Sequence, residues 1–355
     1  MIILGIESSC DETAAAVVET GRTVRSNAIS SQIDLHAEYG GVVPEIASRA
    51  HVERILPVIE TALTDANCSL TDIHAIAVGN RPGLIGSLLV GVAAAKSLAW
   101  SLAKPVIGVN HIEAHLYAAL LDDQDWTPET VFPALGLVVS GGHTAIYRVD
   151  SPLHMTRLGS TIDDAIGEAY DKAASILGLG YPGGPIVDQR AQRGDASSHT
   201  LPISRLKPGS LDFSYSGLKT ALLYTVRGIP TASDEPGGKP VFGQKAEDLS
   251  ETEIDDLCAS FQKAAIDAVV LKMKRAIEAF GVTPRSILVG GGVSANSLLR
   301  SRITALGDEL SIPVRVPKMA YCLDNAAMIA GLAHERAAAN SFDDLTLGAR
   351  PTGSR

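Results

Sequence analysis

The sequence predicts an α/β protein of two lobes built from one repeated unit, and three observations carry that prediction. Apolar strand-like runs alternate with helix-like segments along most of the chain, the pattern of helix-flanked sheets. Two hairpins, at residues 2–19 and 135–149, share one order: apolar strand, small polar turn, threonine (Thr13, Thr144), apolar strand. This reads as an internal duplication of one α/β unit. The chain has 355 residues, 46% hydrophobic and 20% charged, enough for two domains with large cores.

The elements follow in order. Residues 2–7 read as a buried strand, 8–12 as a turn and 13–19 as the returning strand. A helix is expected over 48–66, with Val52, Ile55, Ile59 and Leu63 on one face, and with Pro57 kinking it or marking a start within it. Residues 72–79 form a strand that leads to the breaker Arg81-Pro82-Gly83-Leu84. An Ala-rich helix then runs to about residue 103. A strand over 105–109 leads to Asn110, which suits the N-cap of a helix carrying His111 and His115. In the second half, 135–140 and 143–149 are strands joined at Gly141-Gly142, a tight-turn signal that calls for positive φ. A helix over 160–177 puts Ile162, Ile166, Ala169, Ala173 and Leu177 on one side, and 178–184 is a Gly/Pro turn. Residues 228–250, rich in Pro, Gly, Asp and Lys, read as a surface insertion. A long helix over 255–280, a strand over 286–289, a helix over 296–306 and a last helix from Asp324-Asn325 to about residue 340 complete the chain.

Composition excludes several classes. No Lys or Arg precedes the first apolar run, so a signal peptide is not expected. The apolar stretches at 84–95 and 326–333 are too short or too Gly-broken to span a bilayer, so no membrane association is expected. Cys10, Cys68, Cys258 and Cys322 are far apart and form no Cys-x-x-Cys pair, which fits a reducing cytoplasm. A formal net charge of −10 is unlike a general nucleic-acid binder, because neutralising phosphates supplies most of that affinity. An RNA partner would need a local patch or a second protein. Candidate patches are Arg205/Lys207, Lys219/Arg227 and Lys272/Lys274/Arg275, each also readable as an ordinary solvated face.

The sharpest chemical signal is His111-Ile-Glu-Ala-His115. Positions i and i+4 share a helix face, close enough to grip one divalent ion. A zinc protease needs its glutamate beside the first histidine. Here Glu113 is two residues on, about 200° around the helix, and points away. Asp324 is a candidate third ligand or an N-cap. Imidazoles with a carboxylate suit Fe(II), Zn or Mn. Val138-Val139-Ser140-Gly141-Gly142 offers turn amides that can cradle an anion. In Gly290-Gly291-Gly292-Val293-Ser294-Ala295-Asn296 the glycines would let a base or ribose approach the backbone, with Asn296 bonding to it. Asp164, Glu168 and Asp171 make an acidic stripe, either a solvated face or a cleft wall.

Taken together, these residues resemble the TsaD family, the tRNA N6-adenosine threonylcarbamoyltransferases, under an older label O-sialoglycoprotein endopeptidases. Ordered motifs run through almost the whole chain: residues 4–13 (LGIESSCDET), 36–45 (HAEYGGVVPE), 47–51 (ASRAH), 111–115, 139–144 (VSGGHT), 163–172 (DDAIGEAYDK), 181–184 (YPGG), 212–219 (DFSYSGLK), 290–296 and 321–325 (YCLDN). The resemblance implies a duplicated actin-like, Hsp70-like and sugar-kinase-like fold with two lobes around a nucleotide cleft. The lobes are expected at 1–133 and 134–355, with the final helix packing back on the first. It implies that His111, His115 and Asp324 bind one divalent metal, Fe2+ being the family's usual assignment, with Zn2+ or Mn2+ as alternatives. It implies that Val138, Val139, Ser140, Gly141, Gly142, Asp171, Gly184, Asp188 and Asn296 bind threonylcarbamoyl-AMP. It further implies a cytoplasmic enzyme acting on tRNA with TsaB-like and TsaE-like protein partners. The chain departs from the family at Arg81, where a glycine is usual, and in the length of the 228–250 insertion.

The implied reaction is acyl transfer from threonylcarbamoyl-AMP to N6 of the adenosine 3′ of the anticodon in tRNAs reading ANN codons. An exocyclic aromatic amine is a poor nucleophile. A metal Lewis acid and turn amides at Ser140–Gly142 would help, and Asp11 or Glu12 is the candidate proton acceptor. A metal-dependent protease and a small-molecule kinase of the same fold are the alternatives. A non-catalytic scaffold like TsaB would lack the three metal ligands.

Overall fold

Two five-stranded sheets share one plan. The computed structural model describes residues 1–231, 242–243 and 246–352. In the first sheet, β1 (Ile2–Glu7), β2 (Glu12–Glu19) and β3 (Thr23–Ser31) form an antiparallel meander. Strands β4 (Ala75–Arg81) and β5 (Val106–Asn110) add parallel on the far side of β1, giving the order β3-β2-β1-β4-β5. In the second sheet β6 (Ala134–Val139), β7 (Thr144–Ser151) and β8 (His154–Ser160) form the meander, and β9 (Ser286–Gly290) and β10 (Val314–Arg315) add parallel beside β6. The order β8-β7-β6-β9-β10 matches the first. The duplication legible in two hairpins therefore extends over whole sheets. Strands β3 and β8 were not expected from the sequence, because their largely exposed and polar residues hide the apolar signal of a strand.

Around the first sheet lie α1 (Ile33–Ala37), α2 (Pro44–Asp65), α3 (Ile85–Ser101), α4 (His111–Tyr117) and the single turn α5 (Pro128–Val131). The second half adds α6 (Ile166–Ile176), α7 (Gly183–Ala191), α8 (Ser216–Arg227), α9 (Glu251–Glu278), α10 (Ser297–Leu310) and α11 (Ala326–Ala338). Strand β1 is buried on both faces, so its residues sort by parity rather than by polarity. Leu4 and Ile6 pack with Ile55, Ile59 and Val92 of α2 and α3. Ile3, on the other face, packs with Ala327, Ala330 and Leu332 of α11 and Leu116 of α4. A Cβ on Gly5 would sit 2.4 Å from the Ala326 carbonyl oxygen, so a bare backbone there admits α11. The layer holding α4 and α11 also takes Ala134 and Val138 from the second sheet, while Leu135, Leu137 and Val139 face α6, α8 and α9.

Several boundaries differ from expectation. Helix α2 starts at Pro44 and runs through Pro57; its buried face is Ala47, Ala50, His51, Ile55, Val58, Ile59 and Ala62, while Val52 is exposed. Helix α6 begins only at Ile166, because β8 takes the residues before it up to Ser160, and Ile162 is exposed. The β6–β7 hairpin closes over Ser140–His143, with Ser140 N–H donating to the His143 carbonyl at 2.8 Å. Neither Gly141 nor Gly142 takes a positive φ, so the four-residue loop spares them that strain. Helix α9 starts at Glu251, fixed by a reciprocal Ser250/Glu253 capping box. Most of the 228–250 insertion, at 232–241 and 244–245, lies outside the described residues. Among the described residues no helix is long and apolar enough to cross a membrane.

Candidate active site

Helix α4 starts at the carboxyl end of β5. Asn110 caps it, its side-chain oxygen accepting from Ile112 N–H at 2.9 Å. This fixes the helix so that His111 and His115 face one way, their rings edge-to-face at 4.6 Å. The third member arrives from the other end of the chain. Asn325, not Asp324, caps α11, accepting from Met328 N–H at 3.0 Å. Asp324 is thereby free of the capping role and turns to the histidines. Its Oδ1 lies 3.1 Å from His115 Nε2 and 3.5 Å from His111 Nε2. One ligand atom from each of the three residues falls within 4.8 Å of the others.

Two residues that the sequence did not mark as part of the metal group complete this geometry. Glu7, fully buried at the end of β1, places Oε2 3.1 Å from His111 Nδ1 and accepts from Ser9 N–H at 2.6 Å. Ser9 Oγ lies 3.2 Å from the same ring nitrogen. A carboxylate on one imidazole nitrogen orients the ring and leaves the other nitrogen for a ligand. A Cβ on Gly79 would come within 2.4 Å of Glu7 Oε2, so Gly79 makes room for this carboxylate. The signal was present in Gly-Ile-Glu-Ser-Ser, but a buried glutamate ending a strand cannot be matched to His111 without the β1–β4–β5 neighbourhood.

The charges divide unequally over the group. Burial disfavours the charged form of His111, but Asp324 and Glu7 outweigh it and lift the imidazole to about 9. Burial and the neighbouring His111 push His115 down, leaving it neutral. Burial works against the Asp324 carboxylate, yet the two histidines hold it well below its ordinary range. His143, next to the Ser140–Gly142 turn, is driven down to about 4 by burial and by His111 and His115. The turn lies near the histidine helix through the Gly290-Gly291 backbone, whose Cβ positions meet the His115 carbonyl and Ser140 Cβ. His115 is fully buried; its Nε2 faces the Asp324 carboxylate while its Nδ1 has no hydrogen-bond partner, an omission worth roughly 1–3 kcal/mol. His111, His115 and Asp324 would hold a divalent ion through imidazole nitrogens and a carboxylate oxygen, a donor set such ions take. The residues therefore fit a metal. Glu113 is turned away, its Oε1 accepting from Asn110 Nδ2 at 3.0 Å. It lines a separate cleft of about 310 Å³ with Arg81 and Arg336.

Arg81, the departure from the family pattern, leaves the following loop packed. Leu84 N–H donates to the Ser9 carbonyl at 2.8 Å, and a Cβ on Gly83 would meet that oxygen at 2.5 Å.

The other predicted residues gather on the second sheet. Gly141 and Gly142 face open space and Ser140 is buried. The Ser140 carbonyl accepts from Gly167 N–H at 3.2 Å, tying the turn to α6. Asp171 Oδ1 accepts from Gly183 N–H at 2.8 Å, beside Gly184. Burial raises its carboxyl, with the Gly183 and Gly184 amides opposing. Asp188 accepts from Ser297 Oγ at 2.7 Å and from Gln262 Nε2 at 3.1 Å. Gln262 in turn accepts from Asn296 Nδ2 at 2.8 Å and Tyr170 Oη at 3.2 Å. Gln262 is thus the hidden link between Asp188 and Asn296, and nothing in its helical context marks it in the sequence.

Three readings change. Gly290 and Gly291 serve packing: their Cβ positions are taken by the His115 carbonyl at 2.0 Å and the Val139 carbonyl at 2.4 Å. The acidic stripe divides, since Asp164 binds Lys172 at 2.5 Å and Lys219 at 3.1 Å, and Glu168 binds Lys172 at 2.7 Å. The third basic patch is architectural in part. Lys272 is buried and donates to the Arg205 and Ser210 carbonyls at 2.9 and 2.8 Å.

Relatives decide the family. The family model described as TsaD: tRNA N6-adenosine threonylcarbamoyltransferase matches residues 23–331. The chain belongs to the TsaD family. The protein of that name from Salinibacter ruber is 49% identical over 353 residues, covering 99% of each chain. That from Trichlorobacter lovleyi is 48% identical, covering 99% of this chain and 96% of the relative. Family membership makes this chain a transferase. The fold recurs in full-length HypF in a phosphate- and nucleotide-bound form, with a TM-score of 0.58, 12% identity, and coverage of 96% of this chain and 47% of that one. It recurs also in component A of (R)-2-hydroxyglutaryl-CoA dehydratase from Acidaminococcus fermentans, with a TM-score of 0.51, 12% identity, and coverage of 95% and 99%.

Proposed function

We propose that this chain transfers the threonylcarbamoyl group of threonylcarbamoyl-AMP to N6 of the adenosine 3′ of the anticodon in tRNAs reading ANN codons. The observation that carries the reading is the grouping of fully buried His115 with His111 and Asp324, one ligand atom from each within 4.8 Å of the others, beside an open glycine turn. Family membership supplies the substrates.

In this reading His111, His115 and Asp324 hold one divalent metal, Fe2+ by preference over Zn2+ or Mn2+. When bound, the ion supplies Lewis acidity toward a carbonyl or phosphate oxygen. The protein's own residues do the rest. Val138 and Val139 end β6 and aim the Ser140–Gly142 amides at the acyl phosphate, where each donor stabilises oxyanion charge by roughly 3–4 kcal/mol. Asp171 and Gly184 receive the nucleoside on one side, and Asp188 and Asn296, braced by Gln262, on the other. Of the two candidate proton acceptors, Glu12 is better placed than Asp11. It is nearly fully buried, and burial with Asp11 and Asp324 nearby pushes its carboxyl well above its ordinary value, the direction that makes a carboxylate a stronger base. Glu113 faces away from the histidines, which argues against peptide hydrolysis.

The lobes are taken to divide near residue 133, with α11 counted by its packing with the first. An acidic cytoplasmic enzyme that binds tRNA calls for helpers, here the TsaB-like and TsaE-like partners. The exposed apolar pairs Val52/Leu56 on α2 and Ile85/Leu89 on α3 support a protein-binding face on the first lobe.

The test is reconstitution with tRNA, threonine, bicarbonate, ATP, the adenylate-forming enzyme and the partners, followed by nucleoside mass spectrometry. Threonylcarbamoyladenosine should form only when this chain is present. Equal yield without it refutes the proposal.

A further inference from the structure

Asp324 sits in a segment that crosses from β10 to α11, and that segment is gripped from the first half of the chain. Asp122 lies just after the short 3-10 turn that follows α4. Its Oδ2 accepts from Tyr321 Oη at 2.7 Å and from Lys318 Nζ at 3.0 Å. Its Oδ1 accepts from Val24 N–H on β3 at 3.1 Å, and its own N–H donates to the Arg22 carbonyl at 2.8 Å. Asp122 holds φ at +58°, a left-handed conformation that disfavours most side chains and that Asp and Asn tolerate best. Tyr321 is buried, and Asp324 follows it by three residues. Asn325 Nδ2 closes the segment from the other side, donating to the Tyr321 and Leu323 carbonyls at 3.2 and 2.8 Å. Asp122 belongs to none of the motifs that carry the family resemblance.

We infer that Asp122 is a positioning residue for Asp324. It ties Lys318 and Tyr321 to the edge strand of the first sheet and so sets the reach of the Asp324 carboxylate to His111 and His115. The inference rests on the metal reading proposed above. Ligands must be held to about half an ångström for tight binding, and the Tyr321 hydroxyl is the contact through which Asp122 holds the segment just before Asp324. Asp123 supplies the contrast. It pairs with Arg315 on β10, at the far end of the same crossing, and does not reach the 3-10 turn that carries Tyr321.

The test compares Asp122→Ala and Tyr321→Phe with Asp123→Ala in the full-length protein. Cobalt(II) binding is followed by absorption with a competing chelator, and hydrogen exchange by mass spectrometry over residues 318–325. Asp122→Ala and Tyr321→Phe are each expected to weaken cobalt binding about 10–100-fold and to speed exchange at the Tyr321 and Cys322 amides. Asp123→Ala should leave both within twofold. Unchanged binding and exchange in Tyr321→Phe, or equal losses in Asp123→Ala, overturns it. If the unaltered protein takes up no cobalt, the metal reading falls, and the exchange arm alone decides whether Asp122 orders the segment.

Discussion

Substituting Gly290 by Ala should damage the metal group from behind. Strand β9 ends at Gly290, paired in register with Val138 of β6, and the last turn of α4 rests on it. The added Cβ would sit 2.0 Å from the His115 carbonyl oxygen and 2.4 Å from its carbon, where ordinary contact begins at 3.4 Å. The gap must open by more than an ångström. Strand β9 is held between β6 and β10, whereas α4 has seven residues, so the helix is what yields. It carries His115 away from Asp324, beyond the present 3.1 Å. Overpacking of this kind costs about 1–3 kcal/mol, and a displacement of ~1 Å at a reacting centre costs about 100-fold in rate. Gly290→Ala should fold by circular dichroism, unfold at lower denaturant with an unchanged slope, bind cobalt at least tenfold more weakly, and modify tRNA about 100-fold more slowly. Gly292→Ala is the control, because its Cβ meets only the end of the Leu323 side chain at 3.3 Å. Wild-type metal affinity in Gly290→Ala would refute the reasoning.

Other expectations follow from single contacts. Glu7→Gln removes the charge that orients His111, and metal affinity measured by chelator competition should fall about 10–100-fold. Gln262→Leu takes one donor from Asp188 and the acceptor from Asn296 Nδ2, a loss of roughly 1–3 kcal/mol; adenylate affinity by calorimetry should drop about tenfold or more while cobalt binding holds. Asp163 accepts from Ser214 Oγ at 2.5 Å, Ser216 Oγ at 2.8 Å and Tyr215 N–H at 2.8 Å. Burial opposes its charge, but these donors hold its carboxyl below the ordinary value. Its contribution is therefore full above pH ~4 and is lost as pH falls through the lowered folded value. Solvent keeps that contribution under about 1 kcal/mol. Asp163→Asn should remove that acid-side loss from denaturant midpoints measured between pH 3 and 6, leaving the slope unchanged above.

Local signals carried much of the fold. The two hairpins, the cap at Asn110 and the i, i+4 histidines are read from neighbours in sequence, and all reappear in the structure. Strands β3 and β8 were invisible because half-exposed edges are written in polar residues. Sequence alone left Asp324 between cap and ligand, and the structure separates the roles by giving the cap to Asn325. What sequence could not deliver were partners brought together by the sheets: Glu7 behind His111, Gln262 between Asp188 and Asn296, and Gly290 beneath His115. The glycine run shows the limit best, since a bare backbone looks the same whether a ligand or another strand is to approach it.

The most direct test of the metal-centred transferase supplies the chain and its partners with ready-made threonylcarbamoyl-AMP and tRNA, and follows a single turnover by nucleoside mass spectrometry for the unaltered protein and for His115→Ala. His115→Ala should still bind the adenylate but transfer the acyl group at least 100-fold more slowly. Transfer at an unchanged rate would contradict a role for His115 in the reaction.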